Sequence, residues 1–203
     1  GERIYSARFM GERCYLVTFR QVDPFFVIDL YNPAEPKVLG YLKISGFSGY
    51  LHPYDENHII GVGIEENKVK LSLFDVTNVI APIEKAKFVV PSDWSSTPVL
   101  YDHKAFLFDK SKQLLALPVS IWSNMNNYEY NGTWQGAYIF SLSLEQGFTL
   151  KGNITHQSNT QFESNLEVKR ILYIENFLYT ISDEKIKINS LEDLVFINGI
   201  ELV

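Results

Sequence analysis

Aromatic side chains are concentrated in two neighbouring stretches near the middle of the chain. Trp94 lies in the first stretch, and the second contains Trp122, Tyr128, Tyr130 and Trp134. Exposed aromatic rings bind sugars, peptides or another protein sheet, because they combine a broad apolar surface with a polar tip. The alternative is structural, with the rings packed on one another so that they order two long loops. The sequence leaves both interpretations open.

Histidine and aspartate side chains form the second group of candidates. His52, Asp102 and His103 are assigned to the same binding surface, and His156 is considered with them. Imidazole and carboxylate groups bind divalent metals. However, the chain has only four histidines, and it lacks the HxH and HExxH spacings of metal sites. Hydrogen-bonded structural roles are therefore favoured, and the sequence predicts no metal site and no cofactor.

The short motifs of common enzyme classes are absent from the sequence. It contains no GxSxG elbow, no GxxxxGK[ST] phosphate loop and no GxGxxG fingerprint. Asp93, Asp102 and Glu129 fall in the same loop regions, and two carboxylates can hydrolyse a glycosidic bond when they flank it. A hydrolase acting on polysaccharide or peptide is therefore the alternative to a binding module.

Composition excludes several other classes of protein. The formal net charge is −6 and the isoelectric point is about 5.2. A chain of this charge without a basic stripe is a poor match for nucleic acid, where neutralisation of phosphate dominates affinity. No run of about 18 apolar residues is present, so no membrane-spanning segment is predicted. The single cysteine, Cys14, excludes an intrachain disulfide and is interpreted as a buried thiol.

An internal repeat organises the whole chain. Each unit reads as strand, polar turn, strand, variable loop, strand, second turn and fourth strand, with alternation of apolar and polar residues inside the strands. The first strands of the units have equivalent aromatic residues, at Phe9, Tyr54, Phe108 and Tyr173, and the first strand of the third unit is predicted over residues 103–108. The four units cover about residues 3–44, 45–90, 91–157 and 158–203.

The repeat predicts an all-β fold of the β-propeller type. A four-stranded sheet with two apolar faces is unstable alone, and stacking such sheets face to face buries both faces. We therefore predict four four-stranded antiparallel blades within a single β-propeller domain, residues 1–203. Asp29 and Asp75 each end a third strand, and their carboxylates are predicted to accept the backbone N–H two residues further on.

The propeller hypothesis also groups the candidate residues. In such a fold, the connections between blades share one face with the loops between second and third strands, and long loops on one face form the usual binding surface. Residues 91–102 and 121–136 fall on that face. The aromatic rings of these two stretches belong to the same unit and are therefore expected to be neighbours.

Four stretches carry a resemblance to a known family. They are Ile4–Phe9, Phe26–Leu30, Leu51–His58 and Tyr101–Phe106. Together they resemble the secreted β-propeller-domain proteins of archaea and bacteria, a family of unknown function. The resemblance implies a secreted or cell-surface location and further blades ahead of Gly1, so that the chain is a fragment of a larger propeller. It implies no catalytic residue.

Three functional hypotheses follow. The first is an extracellular or cell-surface binding or scaffold module with a protein or carbohydrate partner on the loop-rich face. The second is the hydrolase. The third is a scaffold in which the four blades pair with missing blades or with another copy as a homo-oligomer. A cleft with two carboxylates would favour the second hypothesis, and exposed apolar blade faces would favour the third.

Overall fold

Antiparallel β-sheets make up the described part of the chain. The computed structural model describes residues 3–19, 23–122, 133–158 and 162–202. These residues form four sheets and three short 3-10 helices, which confirms the predicted all-β class. The chain divides into two compact units, residues 1–91 and residues 92–203. None of the helices in the described ranges has the length and apolar character that crossing a membrane requires.

The first unit contains two sheets in which strands pair in chain order, every pair being antiparallel. The first sheet consists of β1 (Arg3–Met10), β2 (Arg13–Phe19), β3 (Asp23–Asp29) and β4 (Lys37–Ile44). The second consists of β5 (Phe47–Asp55), β6 (His58–Glu65), β7 (Lys68–Asp75) and β8 (Ile83–Val89). Both sheets fall inside the first two predicted repeat units.

The turns after the third strands have the predicted chemistry. The Asp29 carboxylate accepts the Tyr31 backbone N–H at 3.0 Å, and the Asp75 carboxylate accepts that of Thr77 at 2.9 Å. These bonds satisfy backbone donors where the chain leaves the sheet. The prediction of aspartate turns is therefore confirmed at both positions.

Aromatic and β-branched residues from both sheets form the core of the first unit. Phe25 on β3 and Phe74 on β7 stack with their ring centroids 4.5 Å apart. Tyr15 and Val17 on β2 are buried in the same cluster. Because side chains alternate between the two faces of a strand, the alternating apolar residues of the sequence lie together on one face of each sheet.

The second unit also contains two antiparallel sheets. The third sheet consists of β10 (Leu107–Asp109), β11 (Leu114–Trp122), β12 (Thr133–Ser143) and β13 (Gly147–Ile154), and the short strand β9 (Trp94–Ser96) pairs with the end of β11. The fourth consists of β14 (Arg170–Ile174), β15 (Phe177–Ile181), β16 (Lys185–Ser190) and β17 (Phe196–Glu201). The 3-10 helices are η1 (Pro98–Leu100), η2 (His103–Ala105) and η3 (Ser164–Leu166).

The start of the third sheet differs from the prediction. The sequence predicts a first strand over residues 103–108, but η2 occupies 103–105 and β10 contains only Leu107–Asp109. The Asp102 carboxylate accepts the Lys104 backbone N–H at 3.1 Å and caps this helical turn. The shortened β10 leaves the far end of β11 to pair with β9.

One face of the third sheet packs against one face of the fourth. Ala116 on β11 and Ile139 on β12 are buried in one cluster with Ile171 on β14 and Leu178 on β15. Strand pairing sets the side chains of each buried face. Ala116 is the cross-strand partner of Ile139 in the third sheet, and Ile171 is that of Thr180 in the fourth. This interface between the third and fourth sheets leads to the candidate site.

Candidate functional site

A cavity of about 260 Å³ lies at one end of the interface between the third and fourth sheets. Its walls come from the β9–η2 segment, from β11 and β12, and from the chain entering β14. The residues that line it are Ser96, Pro98, Tyr101, Asp102, Ser120, Gln135, Glu167, Val168, Lys169 and Arg170. We refer to this space as the interface cavity.

Register places two tryptophans beside the interface cavity. Ser96 and Ser120 are cross-strand partners, and two residues further along the same strands Trp94 is the partner of Trp122. Residues two apart on a strand lie on the same face of a sheet, so both rings project from the face that lines the cavity. Trp94 is 42% exposed, and Trp122 is half-buried.

Trp134 lies on the opposite face of the third sheet. Its cross-strand partner is Ile121, one residue from Trp122, so its side chain alternates away from the cavity. The Trp134 ring packs edge-on against Tyr138, with 5.4 Å between centroids. Gly136 makes this possible, because a Cβ there would come within 2.9 Å of the Trp134 ring. The expected single cluster of rings is therefore wrong for Trp134, because residues 121–122 and 133–136 of the predicted loop belong to β11 and β12.

The sequence predicts that Tyr128 and Tyr130 belong to the same surface. They lie outside the described residues, as does Glu129 of the alternative carboxylate set. Their predicted role stays a prediction.

An ion pair crosses the mouth of the interface cavity. Asp102 Oδ2 accepts a hydrogen bond of 2.5 Å from Nη2 of Arg170, and Asp102 Oδ1 accepts the Lys104 N–H. Withdrawal from water would raise the pKa of the Asp102 carboxyl, but the bonds from Arg170 and Lys104 outweigh it and lower the pKa below its ordinary value. Asp102 is therefore an ionised hydrogen-bond acceptor rather than a proton donor.

Gln135 holds the segment that forms the back of the cavity. Its side-chain amide donates to the Val168 carbonyl at 2.9 Å, and its amide oxygen accepts the Val168 N–H at 2.8 Å. Gln135 and Val168 are both buried. This two-point contact satisfies both backbone groups of Val168. It therefore fixes the position of the chain from which Lys169 and Arg170 follow.

A buried polar cluster links the chain after β13 to the fourth sheet. His156 contacts the Ser182 hydroxyl through Nδ1 at 2.9 Å and the Thr180 hydroxyl through Nε2 at 2.8 Å. Burial, together with the positive charges of Lys187 and Lys185, lowers the pKa of His156 to about 4. His156 is therefore neutral at pH 7 and has a structural role.

The two remaining predicted residues lie elsewhere. His103 begins η2 beside Asp102 but does not line the cavity, and its side chain is exposed. His52 belongs to the first unit, where Nδ1 contacts the Tyr50 hydroxyl at 2.9 Å. Burial and the nearby Arg8 charge lower the pKa of His52 to about 4. Within the described ranges, no group of three or more His, Cys, Asp or Glu side chains is placed to hold a metal ion.

Comparison with protein families identifies the fold family. The beta propeller domain matches residues 1–194 of this chain. The chain belongs to the β-propeller domain family. The four antiparallel sheets of this β-propeller chain agree with that assignment.

Two archaeal proteins are similar to this β-propeller chain over most of its length. An uncharacterised protein of Archaeoglobus fulgidus is 42% identical over 189 residues, which are 92% of this chain and 26% of the relative. An uncharacterised protein of Methanocaldococcus jannaschii is 40% identical over 183 residues, which are 90% of this chain and 25% of the relative. The chain thus spans about a quarter of the length of these relatives.

A solved structure supports the fold alone. Apo AztD from Citrobacter koseri aligns over 98% of this chain and 46% of its own, with a TM-score of 0.54 and 12% sequence identity. At that identity the likeness is one of architecture and carries no information about ligands.

The structure adds residues to the candidate site that the sequence analysis missed. Ser96, Ser120 and Glu167 line the cavity, and Arg170 pairs with Asp102 from 68 residues away. The two serines could have been found from the alternation that they share with Trp94 and Trp122. Arg170 gave no local signal, because its contact depends on how the fourth sheet packs against the third.

Proposed function

We propose that this β-propeller chain is a binding module, and that its ligand contacts the interface cavity together with Trp94 and Trp122. The single observation that carries the proposal is the shared face. Strand register sets a pair of aromatic residues, Trp94 exposed and Trp122 half-buried, directly beside a cavity whose walls contain hydroxyl, carboxylate and guanidinium groups. Apolar area beside a few convergent polar groups is the general composition of a binding site.

The charge state of the cavity favours binding over hydrolysis. A carboxylate-based glycosidase needs one acid whose pKa is raised so that it can protonate the leaving group. The Asp102 pKa is lowered instead, because Arg170 and the Lys104 amide bind the ionised form. The alternative hydrolase hypothesis therefore gains no support from Asp102.

A ligand screen with matched variants tests the proposal. The purified chain is applied to arrays of immobilised glycans and short peptides, and each compound retained is measured again with Trp94→Ala and with Asp102→Asn. We expect Trp94→Ala to weaken binding by about tenfold, since a well-packed aromatic contact contributes on the order of 1–2 kcal/mol.

Tyr31→Ala is the matched control. Tyr31 is another strongly exposed aromatic residue, but it lies in the first unit. Retention that falls equally with Tyr31→Ala and Trp94→Ala would overturn the proposal, as would ligands whose binding neither Trp94→Ala nor Asp102→Asn changes. Turnover of a retained glycan or peptide would favour the hydrolase.

The proposal places this binding module outside the cell, as the family resemblance implies. Fractionation of a source organism with an antibody against this chain tests the location. Recovery of the protein only from the cytoplasmic fraction would contradict it.

A second candidate function is scaffolding through the outer face of the fourth sheet. This face presents Leu172, Ile174, Phe177 and Ile200, and Ile174 is 56% exposed. Pairing of Leu172 with Tyr179 and of Ile174 with Phe177 sets these side chains on one side of the sheet. The matched relatives are about four times as long as the aligned segment, so we assign the face to a further sheet of the longer protein.

Substitution in the longer protein tests this assignment. In the Archaeoglobus fulgidus relative, aspartate is placed at the position aligned with Ile174, and thermal unfolding is compared with that of the unchanged protein. A covered face predicts strong destabilisation, because the charge would be buried without a partner. Unchanged stability would overturn the assignment. Light scattering that shows the 203-residue chain to be a dimer through this face would point to a second copy instead.

A further inference from the structure

The polar groups of the interface cavity specify a ligand class, and this inference rests on the binding function proposed above. We infer that the cavity and the Trp94–Trp122 pair bind a neutral oligosaccharide, with one sugar ring in the cavity and a neighbouring ring on the tryptophans. Four observations carry the inference: the unused hydroxyl and guanidinium groups, the balance of charge, the engagement of the nearby backbone, and the dimensions of the site.

The hydrogen-bonding groups that face the cavity are both donors and acceptors. The Ser96 and Ser120 hydroxyls are cross-strand neighbours and have no hydrogen-bond partner among the described residues. Arg170 uses one N–H for Asp102 and one for the Lys169 carbonyl, which leaves three of the five N–H donors of a guanidinium. Each sugar hydroxyl both donates and accepts, so adjacent hydroxyls can bridge a carboxylate and a guanidinium.

Charges of both signs line the cavity and nearly cancel. Asp102 is paired with Arg170, and Lys169 is paired with Asp183 outside the cavity. Glu167 adds one carboxylate that has no ion pair in the described part of the chain. An anionic ligand would meet the Asp102 and Glu167 carboxylates, whereas a cationic ligand would have to share them with Arg170 and Lys169. A neutral polyhydroxylated ligand is neither repelled by these carboxylates nor in competition with Arg170 and Lys169 for them.

The backbone beside the cavity is not available for pairing with a peptide. Peptides commonly bind by adding a strand, with main-chain hydrogen bonds supplying the affinity. Here the Val168 N–H and carbonyl are both bonded to Gln135, and the Lys169 N–H is bonded to the Ile181 carbonyl. The Lys169 carbonyl accepts from Arg170. The segment from Val168 to Arg170 can therefore contact a ligand mainly through its side chains.

The dimensions suit a sugar ring with an aromatic platform beside it. At about 260 Å³ the cavity is smaller than the roughly 300–1,000 Å³ of pockets for drug-sized ligands. Trp94 and Trp122 are directly paired across β9 and β11, and side chains of such pairs lie about 5 Å apart at Cβ. Their rings offer apolar area to the C–H face of a second sugar.

Titration calorimetry with oligosaccharides of known charge tests the inference. The probes are the neutral hexasaccharides of cellulose, xylan, laminarin and mannan, with hexagalacturonate as the anionic comparison. We expect at least one neutral probe to bind and hexagalacturonate to bind at least tenfold more weakly. The same neutral probe should lose about tenfold in affinity with Trp94→Ala and several-fold with the double variant S96A/S120A, while Trp134→Phe leaves it unchanged.

The outcomes separate the ligand class from the binding function. Selective binding of hexagalacturonate, or of a peptide from the array in a manner sensitive to Trp94→Ala, overturns the carbohydrate inference while leaving the binding module intact. Failure of all glycans and peptides overturns both. Upfield shifts of sugar ring protons in the NMR spectrum, lost with Trp94→Ala, are the expected signature of stacking on the tryptophan.

Discussion

The interface between the third and fourth sheets changes character along the same strands. At one end, Ala116 and Ile139 are fully buried against apolar side chains of the fourth sheet. Four residues further along each strand, Ser120 and Gln135 occupy the same face and border the interface cavity. The regular pleat carries both regions, so the backbone is the same and only the side chains differ. One face of a sheet can therefore contain both a packed core and, a few residues further along, a cavity lined by polar groups.

The packed end should respond most strongly to truncation. Ile139→Ala removes side-chain volume from a fully buried position and should lower the free energy of unfolding by about 2–5 kcal/mol. Urea denaturation followed by circular dichroism measures the change. Ile174→Ala, at an exposed position on the outer face of the fourth sheet, is the matched control and should change stability by about 0.5 kcal/mol or less. Equal effects of the two variants would show that Ile139 is packed no more tightly than the exposed Ile174.

Acid should weaken the buried polar cluster of His156, Thr180 and Ser182. The pKa of His156 is about 4 in the folded chain against 6.5 in the unfolded chain. The unfolded state therefore binds more protons between these values, so stability is complete above pH 6.5 and is lost as the pH falls towards 4. A full shift corresponds to about 3 kcal/mol.

Urea denaturation at pH 7.5, 5.5 and 4.5 measures this loss. His156→Gln retains hydrogen-bonding capacity but cannot titrate, so it should flatten the pH dependence. His52, whose pKa is also lowered to about 4, should account for part of the slope that remains. A slope unchanged by His156→Gln would contradict the assignment of His156 as a neutral structural residue.

Substitution of Gln135, which holds the segment at the back of the cavity, should lower stability more than substitution of Ser120. Gln135→Ala leaves the buried Val168 N–H and carbonyl without partners and should cost about 2 kcal/mol in unfolding free energy. Gln135→Glu keeps an acceptor for the N–H but loses the donor to the carbonyl, so its cost should be intermediate. Thermal denaturation of the three proteins orders them. Unchanged stability of Gln135→Ala would show that the segment is held by other contacts.

The smallest change in stability is expected for Ser120, at the end of the sheet interface that borders the cavity. Ser120→Ala removes a hydroxyl that faces the cavity and has no partner among the described residues. Its free energy of unfolding should stay within about 0.5 kcal/mol of the unchanged chain, while affinity for a bound glycan should fall several-fold. A large loss of stability would place Ser120 in the core and remove the distinction between the two regions.

Local sequence signals were sufficient for the turns and most of the strands. Asp29 and Asp75 cap their turns as predicted, because an aspartate bonding two residues ahead depends on a few neighbouring backbone groups alone. The strand predicted from His103 failed for a similarly local reason. The Asp102 side chain competes for the Lys104 N–H and starts a helical turn there.

The site depended on longer-range information. The aromatic stretches and Asp102 were recognisable from residue type, and alternation would have separated Trp134 from Trp122 had the strands been extended to these residues. Pairing of Asp102 with Arg170 was not recognisable, since neither residue constrains the other within its own strand or turn. The same holds for Gln135 and Val168, which are 33 residues apart.

Local patterns in the sequence were enough to predict the all-β repeat, the order of strands within each sheet and several residue types of the candidate site. Alternation and turn chemistry act over a few residues, and they fix which side chains share a strand face. Three features emerge from the packing of whole sheets: which face of the third sheet meets the fourth, the cavity where Ser120 and Gln135 follow the packed core, and the contact of Arg170 with Asp102. The physical reason is that packing of two sheet faces depends on the shape and burial of many side chains together, and no local pattern encodes that sum.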